Sequence, residues 1–197
     1  KVARRRLPAE GADRAMGAIW TSLPRDTIWV AIQDDRDFKL LDDLSETRLP
    51  GSTWDHKLLY QHLDAPWPII DRHWVLEITN NKTINTATQG RIWERIWDLA
   101  SPSMLPKRQE DEEEAIWTPL NDGGWQLLDM CGGTLVIYHA RSKVGGNIPQ
   151  EAITTWAMSS LNGLLKTIVT RGESIDSHYI TGHELILRPD GEPVPTW

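Results

Sequence analysis

Proline and glycine punctuate the hydrophobic pattern of the chain, and between those marks the period is mostly two. Residues 2–8 (VARRRLP) alternate weakly and stop at Pro8, with AEGAD (9–13) as a turn; RAMGAIWTSLP (14–24) is a second strand segment ending at Pro24. The period then changes. Within RDTIWVAIQDDRDFKLL (25–41), Ile28, Trp29, Val30 and Ile32 fit a short amphipathic helix, with Asp26 suited to its N-terminal end. Strand patterning returns at 44–50 and 55–65, and more clearly in RHWVLEIT (72–79). There one face carries Arg72, Trp74, Leu76 and Ile78, and the other His73, Val75, Glu77 and Thr79. NNKT (80–83) reads as a turn. RIWERIWDL (91–99) sets Trp93, Arg95 and Trp97 on one face and Ile92, Glu94 and Ile96 on the other.

The second half of the chain adds a hairpin and a long helix. Residues 100–115 hold two prolines and an acidic run (EDEEE, 110–114) and read as an exposed, solvated loop. Residues 116–130 predict a hairpin around NDGG, and GGTLVIYHARS (132–142) is the strongest strand. After Pro149, Ile153, Trp156, Ala157, Leu161, Leu164, Leu165 and Ile168 recur at helical spacing up to Gly172. That predicts a helix of about 23 residues, roughly 34 Å long. The tail (173–197) has an apolar patch, HELILRP, and a proline-rich end expected to be loose. Hairpin-linked strands with segregated helices make the fold α+β. The late helix must bury its apolar face against the concave side of a curved antiparallel sheet, an arrangement that leaves room for a cavity.

Composition narrows the function classes. The chain has 197 residues, enough for one sizeable domain or two very small ones, and its 40% hydrophobic and 25% charged content is ordinary for soluble globular chains. A net charge of −7 argues against a general nucleic-acid binder and against simple electrostatic attachment to anionic membranes, although ARRR (3–6) is locally basic. Cys131 is the single cysteine, so no intrachain disulfide or cysteine-based zinc site can form, and its thiol is expected to be structural. No apolar run approaches the ~20 residues of a bilayer span. The six histidines lack metal-motif spacing, no GxSxG elbow is present, and the Gly-Gly pairs read as turns. Eleven tryptophans stand against one phenylalanine and three tyrosines. Either the core is wide and partly polar, or Trp stands where other chains use Phe.

Three segments resemble the START family, the steroidogenic-acute-regulatory-related lipid-transfer domains of the helix-grip superfamily. APWPIIDRHWV (65–75) is similar to that family's proline-rich turn followed by Arg-Asp-aromatic-Val. GGWQLLDMCGGTLVIYHARSKVGGNIP (123–149) is similar to its Gly-Trp hairpin, Tyr-bearing strand and Gly-Gly-x-Ile-Pro approach to a helix. Residues 1–34 are similar to its first two strands and first helix. Two departures stand out: the Asp after the arginine is His73 here, and the family's helix before the first strand has no counterpart, as in a trimmed chain. The resemblance implies a single domain over 1–172 with a C-terminal extension over 173–197. It implies a sheet gripping the C-terminal helix over a lipid-sized tunnel, an apolar ligand, no cofactor and no reaction. An aromatase/cyclase-like enzyme of the same superfamily is the runner-up. Expected partners are a lipid or other apolar small molecule and transiently a membrane, with no nucleic acid; the chain is expected to be a monomer, soluble and cytoplasmic, with export left open.

Candidate site residues follow from the strand faces and the resemblance together. Arg72 either pairs with a carboxylate at the sheet edge or, as the resemblance implies, faces the tunnel and grips a ligand's polar head. Trp74, Leu76, Trp93, Trp97, Trp125 and Tyr138 on strands either pack the core or touch ligand; Trp156, Leu161, Leu164 and Leu165 on the long helix are core or lid. The KVGGNIP stretch (143–149) and loop 100–115 are the expected moving parts of a lid.

Overall fold

The computed structural model describes residues 1–7, 11–34, 43–65, 67–105 and 114–197. Among them, nine strands form one sheet: β1 (Val2–Arg5), β2 (Arg14–Thr21), β3 (Leu44–Arg48), β4 (His56–Leu63), β5 (Arg72–Asn80), β6 (Ile92–Leu99), β7 (Ile116–Trp117), β8 (Leu120–Met130) and β9 (Gly133–Lys143). Their spatial order is β1-β2-β9-β8-β6-β5-β4-β3, every neighbouring pair antiparallel, with β7 joining β5 in parallel. Three α-helices accompany them, α1 (Arg25–Gln33), α2 (Lys82–Ala87) and α3 (Gln150–Glu173). The expected α+β helix-grip architecture is the one observed.

One long helix covers the concave face, and it lies to one side of it. α3 packs on β1, β2, β9 and α1, with Leu161, Leu165 and Ile168 buried. Gly17 on β2 makes that approach close: a Cβ there would come within 2.9 Å of Leu165 Cδ1. α1 fills the adjoining corner. Trp29, fully buried, donates its indole N–H to Leu187 O (2.9 Å) and meets Trp93 edge-on at 5.6 Å between centroids. The face of Trp93 is in turn capped by the Arg25 guanidinium at 4.0 Å.

On the convex side, Val75 packs in a smaller cluster with Leu49, Tyr60, Ala100 and Leu105, and His73 stacks edge-on against Tyr60 and Trp117. The segment leading from β6 and the short β7 supply part of this cover, so β5 is buried on both faces along much of its length.

Several local readings of the sequence are corrected. NDGG is not a hairpin turn. It lies inside β8, where Gly123 pairs with Ala140 and Gly124 with His139. A side chain on Gly123 would overlap the His139 carbonyl and the Trp97 ring, so the glycine answers a packing demand. The tight turn is Cys131–Gly132, with φ of 53° and 75°, matching the paired positive φ of a type I′ hairpin. Cys131 is exposed there, and so is not a buried structural thiol. NNKT is not a turn but runs from the end of β5 into the start of α2, where the Asn81 side chain accepts from Ile84 N (3.1 Å) as an N-cap. α1 ends at Gln33, and the remainder of the segment assigned to it, including Phe38, lies outside the described residues but for Asp34. So does the acidic run, save Glu114, which is exposed.

The tail is packed, contrary to the loose end expected. Ile175, Tyr179, Ile186 and Val194 are buried in the main core. The Tyr179 hydroxyl donates to Val194 O (3.0 Å) and accepts from Ile186 N (2.9 Å), stitching two tail segments together. Arg188 forms a two-point ion pair with Asp26 of α1 (2.9 and 2.6 Å). Tyr179→Phe leaves the packing volume nearly intact but strands a buried N–H and a carbonyl. It is expected to lower unfolding stability by about 1–3 kcal/mol, read from the shift of a urea transition.

Candidate functional site

The strand register sets one side chain in two toward α3. From β4 come Lys57, Leu59 and Gln61, from β5 Trp74, Leu76 and Ile78, from β6 Arg95 and Trp97, from β8 Asn121 and Trp125, and from β9 Tyr138, Ala140 and Ser142. Facing them are Ile153, Trp156, Ala157, Leu161, Leu164 and Ile168 of α3. Because the helix sits over β1, β2 and β9, the β4–β6 half of the concave face is left bare. The space between is a mostly apolar cavity of about 250 Å³, close to the lower end of small-ligand pockets. Trp156 lines it while remaining half exposed, so the cavity wall reaches the surface at that ring.

Five aromatic rings (Trp74, Trp97, Trp125, Tyr138 and Trp156) stand among the aliphatic side chains of the wall, and two of the indoles have their N–H paired inside it. Tyr138 meets Trp125 edge-on at 4.6 Å and Trp97 at 5.5 Å between centroids. Trp74 donates its indole N–H to Gln61 Oε1 (2.6 Å), and Trp97 donates to Asn121 Oδ1 (3.0 Å). The charged lining groups are likewise engaged with the protein. Arg95 donates to Trp54 O (2.7 Å) and Asn80 Oδ1 (2.6 Å), and Lys57 to Gln33 O (3.3 Å) while resting over the Trp54 ring. Asp34 faces His183 (3.2 Å) and Arg171 (3.5 Å), and Glu46 accepts from Gln61 Nε2. Burial pushes the Tyr138 phenol well above its ordinary range, which keeps it a neutral hydroxyl.

Of the candidates named from the sequence, Trp74, Leu76, Trp97, Trp125 and Tyr138 on strands and Trp156, Leu161 and Leu164 on the helix lie on the cavity wall. Three do not. Leu165 packs onto Gly17 beneath the helix, and Trp93 is held between Trp29 and Arg25. Arg72 is the larger correction. It is 3% exposed and does not line the cavity; its guanidinium is spent on backbone carbonyls: Nε donates to Val144 O (2.6 Å), Nη2 to Gly145 O (3.3 Å), and Nη1 to Asp71 O (3.2 Å) and Ile70 O. It ties the Trp67–Asp71 turn to the Gly-Gly stretch that leads into α3. Pairing with a carboxylate, the other reading, is not its main contact either. A buried cation is accommodated here by carbonyl oxygens.

The cavity also holds polar residues that the sequence reading passed over: Lys57, Gln61, Arg95 and Asn121. Arg95 carried a signal, since it shares a face with Trp97. Lys57 and Gln61 alternate with Leu59 and Leu63, and this polar interruption is why the period in 55–65 looked imperfect.

Comparisons with known proteins place the fold. No family model matches the chain. A STAR-related lipid transfer protein from Xanthomonas axonopodis is similar in structure at a TM-score of 0.70 and 22% identity, covering 88% of this chain and 93% of that one. Human STARD10 is similar at 0.71 and 11% identity, covering 94% and 74%. The Zhui aromatase/cyclase from Streptomyces sp. R1128 follows at 0.54 and 13% identity, covering 82% and 93%. In sequence, 115 residues are 27% identical to the uncharacterized protein PA1579 of Pseudomonas aeruginosa, spanning 58% of this chain and 52% of that protein. The chain thus has the START-type helix-grip fold. No helix of the described residues is long and apolar enough to cross a membrane.

Two outcomes follow from this geometry. Arg72→Lys cannot reproduce the multi-point carbonyl contacts, so amide hydrogen exchange should quicken in 67–71 and 144–149 while β8 and β9 stay protected; unchanged protection there would show that Arg72 is not the tie. For Tyr138, the unfolded chain loses the phenol proton near pH 10 and the folded chain holds it to higher pH. The folded state therefore binds more protons above that point, and stability falls as pH rises through about 10. Tyr138→Phe should flatten that alkaline decline in a series of guanidinium melts.

Proposed function

We propose that the chain binds a lipid or another apolar small molecule in the cavity beneath α3 and passes it between membranes or reports its presence. The observation that supports this most directly is the cavity itself, an aromatic and aliphatic space left by a helix that covers only part of the sheet. Apolar burial of that kind drives uptake of a water-poor ligand without a reaction. The names of the structural neighbours point the same way, and one of them is a cyclase. The acid and base groups of this wall are bound up with protein partners, which favours holding a ligand over transforming one.

Transfer requires contact with a bilayer, and the Trp67–Ile70 turn is suited to make it. Trp67 is 91% exposed, with Ile70 at 53% and Ile69 at 40%. Arg72 fixes this apolar tip beside the approach to α3, and an interfacial tryptophan prefers the headgroup level of a membrane.

Native mass spectrometry of the purified protein, followed by extraction, should reveal a reproducible apolar adduct. Ala157→Trp fills the cavity from the helix side and should remove the adduct without unfolding the chain; an adduct that persists would place the ligand elsewhere. Separately, Trp67→Ala should slow ligand exchange between vesicle populations while leaving the adduct in place, and an unchanged rate would rule the turn out as the membrane contact.

A further inference from the structure

The cavity's hydrogen-bonding capacity is divided unevenly. Its charged residues are committed to the protein: Arg95 to Trp54 O and Asn80, Lys57 to Gln33 O, Asp34 to His183 and Arg171, Glu46 to Gln61. Gln61 is spent on both sides, accepting from Trp74 and donating to Glu46. On the opposite wall, Asn121 of β8 and Ser142 of β9 are direct cross-strand partners, and both line the cavity. The Trp97 indole N–H donates to Asn121 Oδ1 at 3.0 Å. An indole can only donate, so this bond sets which end of the amide is oxygen and turns the Nδ2 donors away from the ring. Within the described residues, neither Asn121 Nδ2 nor the Ser142 hydroxyl has a hydrogen-bond partner. The Ser142 carbonyl is used separately, by the Gln150 side chain at the start of α3.

Resting on the cavity reading above, we propose that Asn121 and Ser142 receive the polar group of the ligand, and that this group is an uncharged oxygen acceptor: an alcohol, ester, ketone or amide carbonyl. Two amide N–H donors and a hydroxyl can satisfy such an oxygen without bringing a charge out of water. An ionised carboxylate or phosphate would lose its hydration with the cationic side chains of the wall already engaged. The volume of about 250 Å³ suits a compact or single-chain molecule. Trp97 is a positioning residue here, because it fixes the amide's orientation from the side away from the ligand.

The test uses one chain length and varies only the head: dodecane, methyl laurate, lauryl alcohol, laurate and lauryl phosphate, each displacing Nile red from the purified protein at alkaline pH. Methyl laurate and lauryl alcohol are expected to bind about tenfold more tightly than dodecane, the worth of a net hydrogen bond, and more tightly than either anion. Asn121→Leu and Ser142→Ala should each shrink that advantage while leaving dodecane binding unchanged. Asn121→Asp keeps the acceptor for Trp97 but replaces the donors, so it should weaken methyl laurate, which can only accept, more than lauryl alcohol. Tighter binding of laurate or lauryl phosphate, or an advantage that survives all three variants, overturns the assignment of the polar group and leaves the cavity reading standing. Failure of every probe, dodecane included, overturns both.

Discussion

The structure depends on the close seat of α3 over β2. Gly17 lacks a side chain where Leu165 presses in, and Leu161 and Ile168 extend the contact toward α1. A single helix about ten ångströms across cannot shield the whole face of a strongly curved nine-stranded sheet. Seated at the β1–β2–β9 side, it closes one half and leaves the other to be lined by tryptophan. The cavity is thus a consequence of where the helix is anchored.

That anchorage is reinforced from outside the helix. Trp29 joins α1 to the tail through Leu187 O and to β6 through Trp93. Arg188 returns from the tail to Asp26, and Tyr179 ties the tail to itself. The last residues therefore wall in the α1 corner and reach across to the end of β5, where Asn80 donates to Leu187 O, and to β3, where Arg48 pairs with Glu184. At the other end of α3, Arg72 joins the exposed Trp67 turn to Val144 and Gly145. The C-terminal half of the helix is buried in the core, and its N-terminal end is tied to β1 by Glu151–Arg4 and to β9 by Gln150–Ser142 O.

The tryptophan excess gains a physical reading from the same picture. Trp29 and Trp93 are solid core, whereas Trp74, Trp97 and Trp125 line open space. A ring facing a cavity contributes area without flexibility, and its N–H must be satisfied from the wall. Gln61 and Asn121 meet that need for Trp74 and Trp97. These two polar residues are in this sense required by the aromatic ones, and Asn121 has donors left over.

Period-two alternation and the helical spacing after Pro149 determined the element types, and the order of those elements determined α+β. The inner faces of β5 and β6 were also legible, which is why Trp74, Leu76 and Trp97 were placed with Trp156, Leu161 and Leu164. Alternation says which side of a strand a residue occupies and nothing about how far along the strand the covering helix extends. Only tertiary packing therefore decided that Trp93 and Leu165 are filled in while Trp97 and Leu164 border the cavity. Arg72 and Gly123 failed for a related reason. A long side chain at a strand end can bend to carbonyls many residues away in sequence, and a glycine pair reads as a turn until the ring packed against it is known. The polar contact of the cavity lies in the same category: Asn121 and Ser142 are far apart in the chain, and it is the β8–β9 register and the Trp97 indole that bring them together as one oriented, uncharged site.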